Sequence, residues 1–353
     1  MKYYIVLTSS AAKRIEREHA ASKMLPRSDL TLLSRHLNAS FLTPPSLTIS
    51  YTDRILGKLY STAENWAYAR YLSSCLESDD IVFCPGEEIG IPLARICHAK
   101  QEKPKIVVWF HRIAGLRTRT ILKFCRILNA VDLSVVSSRP NKDLLHNYLR
   151  IERDRILFWW HPIDSEYFVP GSASSNKTKP IIASVGLEQR DYRLLATATA
   201  KLDVDVKVAG FSQFQSRIAK SFPKVMPDNM TNKKFQSSEL IQLYHDADVV
   251  VVPLKENRGA AGVTVLLEAM SCKKPIVCVR TQGLADFLDE EAITTIEPGD
   301  VAGLQKAILN LLDNPKSAIS KAQRAYELIW QRHNLENQVK ILANFIRTID
   351  VNK

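Results

Sequence analysis

Val249-Val-Val-Val-Pro253, the small-residue loop Gly259-Ala-Ala-Gly262, and then Val263-Thr-Val-Leu-Leu-Glu268-Ala-Met270 carry the clearest reading in the chain. Four consecutive valines bounded by proline fit a strand buried on both faces. The apolar run from Val263 fits a helix that opens directly after the glycines. Strand, tight loop and helix in that order place the first amides of a helix where a backbone loop without side chains lets an anion approach closely, with the helix dipole favouring a diphosphate. Glu268 lies four residues beyond Thr264, on the same helical face, where a carboxylate can accept from two adjacent hydroxyls such as a ribose diol. Gly262, a helix cap and a solvent-facing glutamate fit the same letters, so on local pattern alone both readings stand.

Outward from this segment the same alternation repeats. Runs rich in β-branched residues at 181–185, 204–209 and 276–279 predict strands, and 192–202, 238–245, 264–271 and 301–312 predict helices. Upstream, strands are expected at 3–7, 81–84, 106–110, 133–137 and 156–160, with helices at 62–76, 116–128 and 139–149. Between the two series lies Val169-Pro-Gly-Ser-Ala-Ser-Ser-Asn-Lys-Thr-Lys-Pro180, almost free of apolar side chains. The expectation is therefore an α/β chain of two doubly wound domains: 1–168, a linker at 169–180, and 181–320. A helical segment, 321–353, then packs back on the first domain.

With 353 residues, 46% of them hydrophobic and 24% charged, the chain has the length for two cores and the composition of a globular protein throughout. No run of about 18 apolar residues is present, since Lys123 and Arg126 interrupt the best candidate. The opening Met1-Lys-Tyr-Tyr-Ile-Val-Leu7 is read as a buried first strand rather than a signal segment. Six cysteines form no CxxC pair and have no histidine at zinc spacing, which points to reduced thiols in the cytoplasm. The net charge of +11 is concentrated in the first half, where 95–155 holds 14 Lys and Arg against 5 Asp and Glu. Such an excess attracts polyanions or an anionic membrane, and 112–128 mixes cations with large apolar residues in the manner of a surface-lying helix. Nucleic acid is not expected, because no zinc pattern or aromatic RNP-like run accompanies the charge.

Several further stretches follow one another in a familiar order. They are Ser238-Glu-Leu-Ile-Gln-Leu-Tyr-His-Asp-Ala-Asp248 leading into the valines, then Lys273-Lys-Pro-Ile-Val-Cys-Val-Arg-Thr-Gln-Gly283-Leu-Ala-Asp-Phe287, then Glu297-Pro-Gly-Asp300. Together they resemble the donor domain of the family-4 retaining glycosyltransferases (glycosyl transferases group 1), which have the GT-B fold: two Rossmann-like domains facing across a cleft. Val185-Gly186 and Val208-Ala-Gly210 fit that family's first two strand ends, and Arg155 to Phe168 is similar to the segment closing its acceptor domain.

The resemblance implies transfer of a sugar from a nucleoside diphosphate sugar, UDP- or GDP-linked, to a hydroxyl of a lipid, glycan or small molecule. It implies retention of configuration, no cofactor and no metal. It assigns the donor to Gly186, Arg190, Arg193, Ala260, Ala261, Gly262, Val263, Thr264 and Glu268, with Arg190 the first choice and Arg193 the second for the cation facing the diphosphate. His111, just past a strand end, matches a histidine that touches the donor sugar in the family. Ser9, Ser10, Glu87 and Glu88 follow other strands and are the acceptor-side candidates. The family's carboxylate pair Glu-x7-Glu is half present: Glu268 holds the second place and Ala260 stands in the first, with Glu256 too far upstream unless the loop is rearranged. Other classes stay open at this stage. One is a catalytically silent homologue that binds a partner or a membrane surface, which Ala260 favours; another is an epimerase or phosphorylase on the same architecture.

Overall fold

The computed structural model describes residues 1–21, 25–111, 113, 115, 119–120, 122–123, 127–210 and 221–351. It contains two compact units. The first gathers Met1–Ser22, Arg27–His161 and Glu336–Lys353, and the second is chiefly Pro162–Leu335. The expected helix 116–128, the basic stretch around it and Cys125 fall largely outside the described residues.

The first unit is built on a six-stranded parallel sheet of β1 (Tyr3–Val6), β2 (Ser40–Leu42), β3 (Ile81–Cys84), β4 (Lys105–Phe110), β5 (Leu133–Val136) and β6 (Ile156–Phe158), in the order β2-β1-β3-β4-β5-β6. Every residue of β3 and β5 is buried, as parallel strands covered on both faces must be. The second unit repeats the plan with β7 (Ile181–Val185), β8 (Asp205–Ala209), β9 (Met230–Asn232), β10 (Val249–Val252), β11 (Ile276–Val279) and β12 (Thr294–Ile296), ordered β12-β11-β10-β7-β8-β9 and parallel in every pair. Both sheets are thus doubly wound. Their winding reverses between β1 and β3 in one unit and between β7 and β10 in the other, and the crevice at the carboxyl ends of such a pair is where ligands bind in open α/β sheets.

The division of the chain differs from expectation in three places. The first unit ends at His161, not 168, because Phe168 packs edge-on to Tyr244 and its carbonyl accepts from the Ser271 hydroxyl. The stretch 169–180 is no free linker. Asp246 accepts from the Ser174 amide at 2.8 Å, Asp248 accepts from Lys177 Nζ at 2.6 Å, and His245 Nε2 donates to the Val169 carbonyl, so the segment is fastened along the second unit. The third difference lies beyond 320, where the helix Pro315–Leu328 stays with the second unit and a π-turn over Ile329–His333 ends it. Only the helix Leu335–Val351 belongs to the first unit, apart from its opening residue. There the Trp159 indole donates to the Gln338 carbonyl at 2.8 Å, Arg27 pairs with Glu336, and Arg347 donates to the His36 carbonyl. Composition marks a glycine- and serine-rich stretch as a linker, but carboxylates waiting at a helix end decide where it lies.

Candidate functional site

In the second unit the loops after β7 and β10 meet at the reversal of the sheet. Gly186 ends β7 with φ +91°, and the chain turns back so that the Asp191 amide donates to the Pro253 carbonyl at 2.8 Å and the Lys255 amide to the Gln189 carbonyl at 2.9 Å. After Pro253 the chain runs through Gly259, Ala260 and Ala261 to Gly262, which caps the helix Val263–Ser271 with φ +94° and no side-chain hydrogen bond. Of the first amides of that helix, Val263 donates to the Ala260 carbonyl at 3.2 Å, whereas those of Thr264 and Val265 come before the ladder that Leu266 opens on the Gly262 carbonyl, which leaves these two available to an anion. Gly283 lies against the same loop from the far side. A Cβ there would sit 1.8 Å from the Gly259 carbonyl oxygen and 3.0 Å from the Ala260 nitrogen, so backbone meets backbone at this point.

Glu268 is buried, 8% exposed, and not turned to solvent, which removes the reading of a solvent-facing glutamate. One turn nearer the loop, Thr264 is exposed on the same helix. Burial pushes the Glu268 carboxyl up to about 7, partly offset by a hydrogen bond from Tyr244 and by the charge of Arg190. Tyr244 Oη donates to Glu268 Oε2 at 2.5 Å, and burial beside that carboxylate holds the phenol well above its ordinary range. A carboxyl poised between its two charge states, with one oxygen held by a phenol, is well prepared to take a diol's hydrogen bonds. Tyr244 was not foreseen: it lies 24 residues from Glu268, and no local spacing links a tyrosine in Ser237–Asp246 to a glutamate beyond the next strand.

Arg190, expected at the rim as the diphosphate cation, is instead 3% exposed. Its Nε donates to the Val185 carbonyl at 2.9 Å and Nη1 to the Glu188 carbonyl at 2.8 Å, so the guanidinium braces the Gly186 turn from behind. The turn's main-chain carbonyls outcompete water for a planar group with five donors. Burial lowers the Arg190 pKa, and its charge acts on Glu268 through the interior. Arg193 is exposed at the start of the helix Tyr192–Thr199, with Nε donating to the Phe222 carbonyl at 2.9 Å. Glu256 and Arg258 are exposed on the loop before Gly259.

In the first unit the candidates gather at the carboxyl ends of three neighbouring strands. Ser9 and Ser10, both exposed, open the helix Ser9–Ala21 after β1, with the Thr8 and Ser10 hydroxyls 3.0 Å apart. After β4, His111 is exposed, and its Nε2 donates to the Pro85 carbonyl at 2.9 Å. The ring lies 4.2 Å from Trp109, itself edge-on to Trp159 at 4.7 Å. Glu87 and Glu88 divide their work after β3. Glu87, expected at an acceptor hydroxyl, is instead buried and takes the His111 amide on Oε2 at 2.9 Å, while Glu88 is exposed. Nearby His161, half-buried and desolvated, is pushed down to about 4.

Residues 181–314 match the model of the family described as Glycosyl transferases group 1. The matched stretch lies within the second unit and spans its sheet from β7 to β12. Two curated relatives extend the likeness. The chain is 30% identical over 231 residues to the sulfoquinovosyl transferase SQD2 of Arabidopsis thaliana, covering 58% of this chain and 42% of the relative. It is 23% identical over 133 residues to the GDP-mannose-dependent monoacylated alpha-(1-6)-phosphatidylinositol monomannoside mannosyltransferase of Corynebacterium glutamicum, covering 36% of this chain and 35% of the relative. The chain therefore spans less than half the length of either. Among solved structures, sucrose-phosphate synthase from Thermosynechococcus elongatus superposes with a TM-score of 0.74 at 15% identity, over 100% of both chains. Two Rossmann-like α/β units of this kind are the GT-B fold of group 1 glycosyltransferases. Within the matched residues, Glu268 is buried on the helix Val263–Ser271, and Ala260 on the loop before it carries only a methyl group.

Proposed function

We propose that the chain is a glycosyltransferase that moves a sugar from a nucleoside diphosphate sugar to a hydroxyl of a lipid, glycan or small molecule, with retention of configuration. The observation that carries this reading is the group 1 donor unit with Glu268 buried beside Tyr244 behind the Gly262 amides. In it Glu268 accepts from the ribose hydroxyls. The amides of Ala260 to Thr264 receive the diphosphate, with the buried charge of Arg190 behind the loop and Arg193 exposed near it. Retention without a protein nucleophile follows when the leaving phosphate takes the acceptor's proton and the acceptor attacks the same face. Catalysis is then positioning and charge stabilisation, and this route requires no metal. In the first unit, His111 acts among the reacting groups, and Ser9, Ser10 and Glu88 orient the acceptor. A lipid acceptor draws support from the bacterial relative, a mannosyltransferase named for a monoacylated phosphatidylinositol monomannoside.

We place this activity in the cytoplasm, at times on the inner face of an anionic membrane. The first unit carries 26 Lys and Arg against 17 Asp and Glu, net +9. Its helix Tyr51–Leu59 exposes Tyr51, Ile55 and Leu59 along one stripe flanked by Arg54 and Lys58. No helix among the described residues is long and apolar enough to cross a membrane.

A thermal-shift panel of nucleoside diphosphates and their sugars tests the donor reading, since a ligand at 100 times its dissociation constant adds about 2.7 kcal/mol. A selective shift that vanishes in Glu268→Ala with folding intact, followed by labelled-sugar transfer, supports it. Undiminished donor affinity in that variant removes Glu268 from the site. The second reading, a silent homologue, is favoured by Ala260, and it is the outcome if no nucleotide shifts the protein.

A further inference from the structure

Two buried polar atoms on the loops here have no hydrogen-bond partner among the described residues: Asn257 Oδ1 and Thr281 Oγ1. Buried polar groups in native proteins are nearly always paired, and an orphan asks for a missing partner. Both belong to loops leaving the carboxyl ends of the paired strands β10 and β11, and Thr281 is only 2% exposed. The two loops meet where the backbone at Gly283 lies against Gly259 and Ala260. Gln282, next to Gly283, opens a short 3-10 turn over Gln282–Phe287 and is exposed. Its α-carbon is one peptide, about 3.8 Å, from that of Gly283, so a side chain of its length can span the distance to the loop at Ala260, which supplies no polar group of its own.

We propose that Gln282, supported by Thr281 and Asn257, forms a neutral subsite that reads the hydroxyl groups of the donor sugar. The proposal rests on the donor reading above, which seats the diphosphate on the neighbouring Gly262 amides and so brings the attached sugar to this side of the loop. The chemistry matches. A sugar hydroxyl both donates and accepts; a carboxamide offers one acceptor and two donors, and Asn257 Oδ1, its own amide already donating to the Lys255 carbonyl, offers an acceptor. Thr281 Oγ1 and Asn257 Oδ1 are closed to water, so a hydroxyl reaches them by displacing the loop at Gly259, where a side chain would meet nothing within 4 Å. The subsite carries no charge and discriminates by hydrogen-bond geometry, since a site built to bond a hydroxyl rejects a sugar that lacks it.

The test measures affinity of the full chain for UDP, UDP-glucose, GDP and GDP-mannose by titration calorimetry, and the ratio of nucleotide sugar to bare nucleotide for the base that binds. Gln282→Ala should cut that ratio by about tenfold, the worth of one or two hydrogen bonds, with affinity for the bare nucleotide unchanged. Gln282→Glu should retain the ratio, and Ala260→Glu introduced into Gln282→Ala should restore it. A ratio unmoved in Gln282→Ala, or an equal loss for nucleotide and nucleotide sugar, overturns the subsite and leaves the donor reading intact. Absence of binding by every one of the four ligands to the unaltered chain overturns both.

Discussion

Replacing Glu268 with glutamine should make the unliganded protein more stable, and increasingly so as pH rises. Burial lifts the carboxyl from 4.5 to about 7 in the folded chain, so between those values the folded state holds a proton that the unfolded state has released. Stability therefore falls as pH climbs through this window, and above pH 7 the fold carries the full cost of a buried anion. At 1.36 kcal/mol per unit the shift amounts to roughly 3 kcal/mol. Glu268→Gln keeps the shape and an oxygen for Tyr244 but has no charge to bury, so it escapes that cost. Thermal unfolding at pH 5, 6, 7 and 8 reads the effect. The two proteins should melt nearly together at pH 5, and at pH 8 the variant should melt higher by on the order of 5–10 °C, given 2–4 °C per kcal/mol for a unit of this size. The same variant should bind donor nucleotide more weakly, which separates a stability gain from a functional loss. A melting difference that is constant across pH, or a variant less stable at pH 8, would refute the assignment of a strained carboxyl at this position.

Three other perturbations follow from the geometry. Gly283→Ala puts a methyl group 1.8 Å from the Gly259 carbonyl and should displace the donor loop, with nucleotide affinity lost while circular dichroism keeps both sheets. Glu87→Ala leaves the His111 amide without its acceptor and should cost about 1–3 kcal/mol in urea unfolding, whereas Glu88→Ala, at an exposed side chain, should stay within about 0.5 kcal/mol and act on acceptor KM. Trp159→Phe removes the indole donor held by the Gln338 carbonyl, and should speed hydrogen exchange in the helix Leu335–Val351 ahead of the sheet.

The central strands were legible because parallel strands covered on both faces require unbroken β-branched runs, as in the four valines of β10. β2, β9 and β12 were not, since Ser40-Phe-Leu, Met230-Thr-Asn and Thr294-Thr-Ile are three residues each, too short to show a period. Within the site, the sequence was informative about backbone and poor about side-chain direction. Gly186, Gly262 and Glu268 stand where a turn, a helix cap and a helix face put them. Arg190, in a loop, and Glu87, the first residue of the helix Glu87–Cys97, are charged, and charge alone suggests a surface; their burial depends on the Val185 and Glu188 carbonyls in one case and on the His111 amide in the other, partners that only the folded chain supplies.

The helix Leu335–Val351 also sets an order of events during synthesis. The ribosome releases β1 to β6 first, then all of Pro162–Leu335, and only afterwards the residues that cover Trp159. The second unit can close on itself while the first still waits, its indole without an acceptor and Leu342, Ala343 and Ile346 not yet delivered to its core. For that interval the first unit is a nascent sheet with an open apolar face, a substrate for chaperones, although its six strands were made before any strand of its neighbour.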